Sequence, residues 1–469
     1  MQSKKIVILG AGPSGLTIAL ELIDKGFDVT LIESSSEVGG LCRTVKKNNI
    51  SFDIGPHGLS PSIPKVIEKI KALLGKDLLE KENLHGIHFD NITYKYPPQL
   101  ADFFKFSPVK NGVLFLGSLL NTKIKNFFIK ESKEDNSFDS ILINRFGKKF
   151  CEDLIFPLTL KAWGTRDLHP NFVRIRMTIP SFSQIFKKLF IKDLVINNNT
   201  TYYYPVNGFG QIFNVMADRL ITGGQKIEFN CNILSIQAET LQGPYKVLYT
   251  QNNENKELEA DIVVSTIPNK NLFNYLSGTG LIEPVLEEID SFPSRNMRLG
   301  IMLVKNFSLP YKVIFFPESK FAFNRVSDMA HYADLGNPEN HAILMFDFIN
   351  SPDNDYERME EAEFKKQLVN SVMKLKWFEE KDIVEIFSQN FEYVYPVMNI
   401  KRYNAQKKID GFFKDTNIIL CGREASSDYN NAHNAMAKAI ETASYIAGEI
   451  SLDEYIKISE ELGRMPIGE

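Results

Sequence analysis

Cysteine is scarce in this sequence, and its few copies are far apart. The 469 residues include Cys42, Cys151, Cys231 and Cys421, with no CxxC pair and no spacing typical of a zinc site. Neither a disulfide framework nor a metal centre is therefore expected. The four cysteines are predicted to be reduced thiols in a reducing compartment.

Long apolar runs and blocks of like charge are also missing. No run reaches the roughly 18 to 20 apolar residues of a spanning helix, and the longest candidate covers residues 112–120. Formal net charge is −4, and the basic clusters at 123–130 and 187–192 are short enough to be solvated faces. We therefore expect no nucleic-acid partner and at most a peripheral membrane contact. Because a buried-strand pattern starts almost directly after Met1, we expect no signal peptide and a cytoplasmic location.

The composition that remains is that of a globular protein with more than one core. Hydrophobic residues make up 43% of the chain and charged residues 24%, which is ordinary for a folded protein in water. A chain of 469 residues exceeds what one hydrophobic core usually supports, so two or three subdomains are expected.

The start of the chain has the pattern of one βαβ unit. Residues 6–10 form an apolar run typical of a parallel strand buried on both faces, 14–25 have helical periodicity, and 28–33 form a second strand. Buried-strand patterns of the same kind return at 261–267 and 417–421. The residues between these strand patterns must therefore belong to another domain.

This interleaving predicts an α/β fold whose Rossmann-type dinucleotide-binding domain is discontinuous. We assign residues 1–60, 205–275 and 410–450 to that domain. Residues 61–204, mostly helical in pattern, are predicted to be a helical insertion that contributes to the substrate domain. Residues 276–409 are predicted to form the β-sheet of an inserted α+β substrate-binding domain.

The first strand-to-helix junction carries a G-x-G-x-x-G pattern at Gly10, Gly12 and Gly15. The first glycine permits a tight turn, the second lets the backbone approach a pyrophosphate, and the third lets the helix pack closely. Pro13 and Ser14 complete the start of the helix, whose positive end would face the phosphates.

Acidic and glycine-rich residues downstream specify which dinucleotide is expected. Glu33 ends the second strand roughly twenty residues after the first glycine, where a carboxylate can bind both ribose hydroxyls and repel a 2′-phosphate. Gly39, Gly40 and Arg43 follow shortly afterwards. Such a loop can wrap the far side of the pyrophosphate, with Arg43 within reach of a phosphate or of a flavin edge. The pattern therefore favours FAD over NAD or NADP.

Two further segments have residues suited to a flavin site. His57 closes a glycine-bearing stretch, Gly55-Pro56-His57, and is a candidate for the flavin-facing site. Near the other end, Gly422 and Arg423 close a buried strand shortly before a helix. A backbone N–H there would point at ribityl or phosphate oxygens.

Together these segments resemble the flavin-containing amine oxidase superfamily, which includes protoporphyrinogen oxidases, phytoene desaturases and UDP-galactopyranose mutases. The matching stretches are GAGPSGL, GGLCRT, FDIGPH, DIVVSTIP and CGRE. The resemblance implies that Val263 packs against the adenine, that Ile233 lies near it through its backbone, and that Asn431 belongs to the cofactor-binding set. Since the cysteine motif of covalently flavinylated amine oxidases is not seen, non-covalent FAD is expected.

Central motifs resemble the mutase-like branch of this superfamily. Lys161-Ala162-Trp163-Gly164-Thr165 looks like the mutase K-x-W-G-T segment, and Arg295 falls where mutases carry a Tyr-Arg pair that touches the substrate diphosphate. Ser294 replaces that tyrosine, and Ser60 replaces a second histidine expected after GPH. His57, Arg295 and Trp163 are the catalytic candidates. Arg174 and Arg176 could add to an arginine clamp or be surface residues, and Trp163 could equally be a core tryptophan.

Three functions remain open at this point. The first is an FAD-dependent oxidoreductase that transfers a hydride from a C–N or C–C bond to flavin N5. The second is a nucleotide-sugar mutase of the UDP-galactopyranose mutase type, acting in surface-glycan biosynthesis without net redox change. The third is a flavin-binding protein without catalysis. A small-molecule substrate is expected, anionic if the arginines clamp it, such as a nucleotide sugar or a carboxylate.

Overall fold

A computed structural model of the chain describes residues 4–96, 109–128, 137–172 and 201–465. The strands are β1 Lys5–Leu9, β2 Asp28–Ile32, β3 Thr44–Lys47, β4 Ile50–Asp53, β5 Leu78–Glu82, β6 His85–Phe89, β7 Ile92–Tyr96, β8 Thr201–Pro205, β9 Lys226–Glu228, β10 Cys231–Gln237, β11 Tyr245–Gln251, β12 Glu254–Ala260, β13 Ile262–Ser265, β14 Ser294–Lys305, β15 Val313–Phe315, β16 Arg325–Asp328, β17 His341–Ile349, β18 Ile383–Pro396 and β19 Ile418–Leu420. The helices are α1 Pro13–Ile23, α2 Pro64–Leu74, α3 Val109–Phe128, α4 Phe138–Phe146, α5 Lys148–Phe150, α6 Phe156–Trp163, α7 Gln211–Thr222, α8 Asn269–Leu276, α9 Glu361–Met373, α10 Ile400–Phe413, α11 Ala432–Ile446 and α12 Leu452–Gly463, with a π-helical turn at Cys151–Ile155 between α5 and α6.

A five-stranded parallel sheet forms the first layer, in the order β19-β13-β1-β2-β9. Its central strand is apolar because both faces are covered, and Val7, Ile8 and Leu9 are fully buried. The chain runs outward from β1 in one direction through β2 and β9, and in the other through β13 and β19. This arrangement places the reversal of strand order between β1 and β13, where doubly wound sheets bind their ligands. The predicted α/β fold with a Rossmann-type sheet is confirmed.

The pairing of one strand of the first layer does not follow from its polarity. Residues 226–249 alternate in polarity, a pattern typical of antiparallel strands. Instead β9 joins the parallel sheet beside β2, with Leu31 opposite Ile227. The antiparallel meander is the next unit along the chain, β10-β11-β12, with a bulge between Ile233 and Ser235. The alternation of polar and apolar residues alone does not reveal whether β9 pairs with β2 or with the antiparallel unit.

A seven-stranded sheet in the order β18-β14-β17-β16-β15-β6-β7 forms the second layer. Strands β6 and β7 belong to residues 61–204, so the prediction that this region is mostly helical is wrong for this part. Asp90 and Asn91 both have positive φ, which is the geometry of a two-residue hairpin turn. Strand β6 then pairs in parallel with β15, more than two hundred residues away.

The helices α3 to α6 pack as a small cluster beside this sheet. Phe115 of α3 meets Phe150 of α5 edge-on, with ring centroids 5.5 Å apart. Helix α6 ends at Gly164, which takes the left-handed conformation with φ 65°. Over the parts of the chain that the structure describes, no helix combines the length and apolarity that crossing a bilayer requires.

Candidate functional site

The carboxyl ends of the parallel strands converge on the start of α1. Gly10 follows β1 with φ +98°, and a Cβ there would lie 2.7 Å from Oγ1 of Thr266 at the end of β13. Gly422 follows β19, and its Cβ would lie 3.2 Å from Oγ of Ser14. The turn after β1 is therefore held between two neighbouring strands, and only glycine permits this approach.

The start of α1 is packed on one side and open on the other. A Cβ on Gly15 would lie 2.0 Å from the carbonyl oxygen of Gly10, whereas a Cβ on Gly12 would meet nothing within 4 Å. No side chain caps the helix, and its first turn carries no acidic residue. Free N–H groups and the helix dipole therefore face open space, which suits a phosphate group.

Glu33 is buried at the end of β2 beside this opening. Its Oε2 accepts a hydrogen bond from the N–H of Ala11 at 2.8 Å, and its Oε1 accepts from the N–H and the hydroxyl of Ser35, both at 2.9 Å. These bonds fix the carboxylate next to the glycine turn. Oε2 has a second lone pair with which it can accept a hydroxyl.

The loop after Glu33 packs against the glycine turn. The N–H of Gly39 donates to the carbonyl of Ala11 at 2.8 Å, and a Cβ on Gly40 would lie 3.5 Å from Cα of Gly12. Both loop glycines have positive φ. Arg43 donates from its guanidinium to the carbonyl of Gly40 at 2.7 Å, so it braces the loop from within. The open helix end, the carboxylate and this loop fit the diphosphate and ribose of a dinucleotide.

A cleft lies between the two layers. Its wall is formed by Cys42, Pro56, His57, Gly58, Ser60, Asn83, His85, Thr201, Tyr202, Lys312, Val313, Phe315, Arg325, Arg423, Asn431 and Ala432. Three of these side chains are cationic and none is acidic. The predicted residues His57, Arg423 and Asn431 thus share one cleft with several that sequence reasoning missed.

His57 is held as a neutral imidazole. Its Nε2 is 3.1 Å from the carbonyl oxygen of Leu41, and its ring stacks on Phe209 with centroids 5.0 Å apart. Burial, followed by the nearby charge of Arg423, lowers the pKa of His57 to about 4. At neutral pH the ring can therefore donate one hydrogen bond and accept another, and it carries no charge.

Arg423 reaches the cleft from the end of β19. Its Nε donates to the carbonyl of Asn430 at 3.0 Å, and one terminal nitrogen donates to the carbonyl of Val394 at 3.1 Å. These partners are neutral, so they orient the guanidinium without neutralising it. Asn431 is the N-cap of α11, where it forms a reciprocal capping box with Asn434.

Asp53 is a buried carboxylate that sequence reasoning passed over. It accepts hydrogen bonds from Oγ1 of Thr44 at 2.6 Å, from the hydroxyl of Tyr204, and from the N–H of Phe209. Burial raises the pKa of Asp53 to about 6, and the bond from Thr44 opposes that rise. The carboxylate ties β4, β8 and the loop before α7 together behind the cleft. An aspartate between Phe52 and Ile54 in a strand pattern was a signal for such a role.

The cationic side of the cleft was also missed. Nε of Arg325 lies 2.5 Å from the buried carboxylate of Asp347, and its terminal nitrogen donates to the hydroxyl of Tyr395 at 3.1 Å. Nζ of Lys312 lies 3.5 Å from the ring centroid of Tyr202. No local motif marks these residues, since they meet only through long-range strand pairing.

Two of the three catalytic candidates lie off the cleft wall. Nε of Arg295 donates to the carbonyl of Trp163 at 2.9 Å, and burial lowers the pKa of Arg295. The Trp163 ring is buried among Phe172, Tyr395 and Tyr429. Arg295 and Trp163 therefore contact each other, but neither lines the cleft. Arg174 and Arg176 lie outside the described residues.

The two residues expected near an adenine lie in different sheets, and neither is on the wall of the cleft. Val263 is fully buried in the middle of β13, between Val7 and Ile418. Ile233 lies in β10 opposite Tyr249, next to the bulge. Their contact with a cofactor stays a prediction.

Ser294, which replaces the mutase tyrosine, belongs to a buried polar cluster. Its hydroxyl donates to the carboxylate of Glu424 at 2.8 Å, and the fully buried Arg402 donates to the same oxygen at 2.8 Å. Arg402 also donates to the carbonyl of Pro293 at 2.9 Å. The cluster joins β14 and α10 to the loop after β19. Ser60, the other departure, lies on the cleft wall.

Solved structures with the same architecture come from several kinds of flavoprotein. The chain is similar to reduced UDP-galactopyranose mutase, with a TM-score of 0.85 and 20% identity over 98% of this chain and 99% of that one. It is also similar to a putative protoporphyrinogen oxidase from Exiguobacterium sp. 255-15, with a TM-score of 0.70 and 16% identity over 96% and 100%. At these identities the similarity shows a common fold.

Curated relatives match over shorter stretches. The chain is 33% identical over 78 residues to 4,4'-diapolycopene oxygenase of Methylomonas sp, covering 17% of this chain and 15% of that protein. It is 21% identical over 293 residues to the inactive all-trans-retinol 13,14-reductase of Danio rerio, covering 55% and 46%. The chain thus spans less than half the length of either relative.

A family model settles the resemblance. The model described as flavin containing amine oxidoreductase matches residues 13–450, from the start of α1 to beyond α11. The predicted superfamily is therefore confirmed, and a flavin cofactor follows from it. This chain belongs to the flavin-containing amine oxidoreductase family.

Proposed function

We propose that this protein is an oxidoreductase that binds FAD non-covalently and oxidises a small molecule at a C–N or C–C bond. The observation that carries the proposal is the open, uncapped start of α1 at Gly12 beside the fixed carboxylate of Glu33. A diphosphate and a ribose have complementary chemistry to these two features. When bound, the flavin would accept a hydride from the substrate.

The proposed cofactor-binding set follows from this placement. It comprises Gly10, Gly12, Pro13, Ser14, Gly15, Glu33, Gly39, Gly40, Arg43, Ile233, Val263, Gly422, Arg423 and Asn431. We further propose that residues 1–60, 205–275 and 410–450 form the cofactor domain, and that 61–204 and 276–409 supply the substrate side.

The cleft residues would orient the substrate and exclude water. His57 is neutral and partly buried, so it can donate or accept a hydrogen bond without adding charge near the reacting bond. Arg423 is held by main-chain carbonyls and keeps a positive charge at the same end. Lys312 lines the same cleft, whose described wall has no acidic side chain, so an anionic substrate is favoured electrostatically.

A nucleotide-sugar mutase is the second candidate. It is supported by the chain-long similarity to UDP-galactopyranose mutase and by the pairing of Arg295 with Trp163. It is opposed by Ser294, whose hydroxyl is bound to Glu424. Retention of the flavin without catalysis is the third possibility, and the same experiment separates all three.

The test starts from purified, flavin-loaded protein. The flavin is first reduced anaerobically, and its reoxidation after air is admitted is followed by absorbance. A panel of amines, carboxylates and nucleotide sugars is then assayed as substrates. The proposal predicts turnover with net oxidation of one anionic class. Conversion of a nucleotide sugar only by the reduced protein, without net oxidation, would replace it with the mutase. Slow reoxidation and no conversion of any panel member would favour the non-catalytic role.

A further inference from the structure

Arg402 is a guanidinium enclosed by protein on every side. It lies on α10, and its side chain is fully buried. Its Nε donates to the hydroxyl of Ser427 at 3.0 Å, and its two terminal nitrogens donate to the carbonyl of Pro293 at 2.9 Å and to the carboxylate of Glu424 at 2.8 Å. A buried cation requires such partners, because it has lost its water.

On one side Arg402 holds the segment that carries Arg423 to the cleft. Glu424 directly follows Arg423 in sequence, and Ser427 lies three residues further along. Ser427 has φ 49°, a left-handed conformation that few non-glycine residues adopt, so the surrounding protein must hold it there. Because both Glu424 and Ser427 bond to Arg402, the backbone from 424 to 427 is fixed at both ends. The point from which the Arg423 side chain leaves the backbone is fixed with it.

On the other side Arg402 holds the start of β14. It donates to the main-chain carbonyl of the residue before Ser294. The hydroxyl of Ser294 donates to the same oxygen of Glu424 that Arg402 binds. Arg295 follows directly in sequence. One buried cluster therefore joins the strand that begins beside Arg295 to the segment that carries Arg423.

We propose that Arg402 is a positioning residue for the flavin. Through Glu424 and Ser427 it holds the guanidinium of Arg423 where the cofactor binds. The inference rests on the proposed function, since it requires that FAD bind beside Arg423. A lysine at position 402 would keep the charge, but its donors all lie on one nitrogen, so it could not reach acceptors on opposite sides at once.

A second buried cluster of the same composition provides a matched control. Arg298 is also buried, and it donates to the hydroxyl of Ser388 at 2.8 Å, to the carbonyl of Tyr356 at 2.9 Å and to the carboxylate of Glu361. This cluster joins β14 and β18 to α9, and none of its residues is in the proposed cofactor-binding set. Its disruption should lower stability without changing the flavin site.

Arg402→Lys and Arg298→Lys are compared with wild type by two measurements. Visible circular dichroism of the flavin-loaded protein reports the surroundings of the flavin, and titration of the flavin-free protein with FAD gives the affinity. Arg402→Lys should alter the dichroism and weaken FAD binding about tenfold, the effect of one lost hydrogen bond to a charged group. Arg298→Lys should leave both unchanged, although both variants should melt at a lower temperature than wild type.

Ser427→Ala is a milder variant that keeps the buried ion pair and removes one bond from Arg402. It should weaken FAD binding about threefold, whereas Ser388→Ala, which removes the corresponding bond from Arg298, should bind FAD like wild type. This pair decides the question even if Arg402→Lys does not fold.

The variant Arg423→Gln tests whether the effect of Arg402 passes through Arg423. When position 423 is already glutamine, Arg402→Lys should weaken FAD binding by less than about twofold, because residues that act as one unit are not additive.

Four outcomes would overturn the inference. Wild-type FAD affinity and dichroism in Ser427→Ala and in folded Arg402→Lys would do so and leave the proposed function standing. An equal loss of FAD affinity in Arg298→Lys would reduce the role of Arg402 to general stability, and full additivity with Arg423→Gln would mean that Arg402 does not act through Arg423. A wild-type protein that binds no FAD would overturn the proposed function and this inference together.

Discussion

At the scale of single residues, Gly12 and Gly15 belong to one turn but have opposite surroundings. A side chain on Gly15 would collide with the carbonyl of Gly10, while a side chain on Gly12 would enter open space. Gly12 also has an extended backbone conformation, φ −80° and ψ −172°, that any residue can adopt. The protein fold therefore needs Gly15, whereas Gly12 is needed only by a ligand that occupies the opening.

Glu33 can be tested without dismantling the turn. Glu33→Gln keeps an oxygen that can accept the N–H of Ala11 but removes the charge and one acceptor. We expect FAD affinity to fall about tenfold, or about 1.4 kcal/mol, because the ribose hydroxyls lose their best acceptor. Affinity is measured by quenching of flavin fluorescence.

The melting temperature of the flavin-free protein serves as the control for that substitution. It should fall while the protein still unfolds cooperatively, because the amide oxygen can keep the bond from Ala11 but the N–H₂ group cannot accept the bonds from Ser35. Unchanged FAD affinity in the folded variant would exclude Glu33 as the ribose ligand.

At the scale of elements, short-range order was predictable and long-range pairing was not. The β1-α1-β2 unit lies within thirty residues, so the glycine spacing and the apolar periodicity around it suffice to place it. Strand β6 pairs with β15 and completes the second sheet, and nothing near residue 85 indicates that partner. For the same reason Lys312 and Arg325 could not be assigned to the cleft from sequence, whereas His57 could be proposed from its glycine-bearing neighbours.

A substitution of Asp53 tests whether this carboxylate joins β4, β8 and the loop before α7. Asp53→Asn would turn one acceptor oxygen into an N–H₂ group that faces either the hydroxyl of Thr44, which bonds Oδ1, or that of Tyr204, which bonds Oδ2. We expect a loss of about 2 to 4 kcal/mol in the free energy of unfolding, since buried donors lose their acceptor. Urea denaturation measures it. A loss below about 0.5 kcal/mol, the range of an ordinary surface substitution, would show that Asp53 does not hold these elements together.

At the scale of the whole molecule, buried neutral histidines make the fold sensitive to acid. Burial lowers the pKa of His433 to about 4 from an ordinary 6.5, and neither ring nitrogen has a hydrogen-bond partner among the described residues. Below pH 6.5 the unfolded chain takes up a proton that the folded protein refuses until about pH 4. Stability from this group is therefore complete above pH 6.5 and is lost as the pH falls through that window.

His433→Leu isolates this contribution from other titrating groups. Between pH 6.5 and pH 4 the wild-type protein should lose up to about 3 kcal/mol of unfolding free energy relative to the variant. The measurement is urea denaturation of both flavin-free proteins across the pH series. Parallel curves for the two proteins would mean that His433 is already charged or solvated in the fold.

The central claim is that the open turn at Gly12 holds FAD, and calorimetric titration of the flavin-free protein tests it most directly. The wild-type protein should bind one FAD per chain, reversibly and with saturation. Gly12→Val should fold normally and bind no FAD, because its side chain fills the space of the diphosphate. Gly15→Ala should lower the free energy of unfolding of the flavin-free protein, because its Cβ would collide with the carbonyl of Gly10. A wild-type protein that takes up no FAD, or a folded Gly12→Val variant that binds FAD like wild type, would contradict the account.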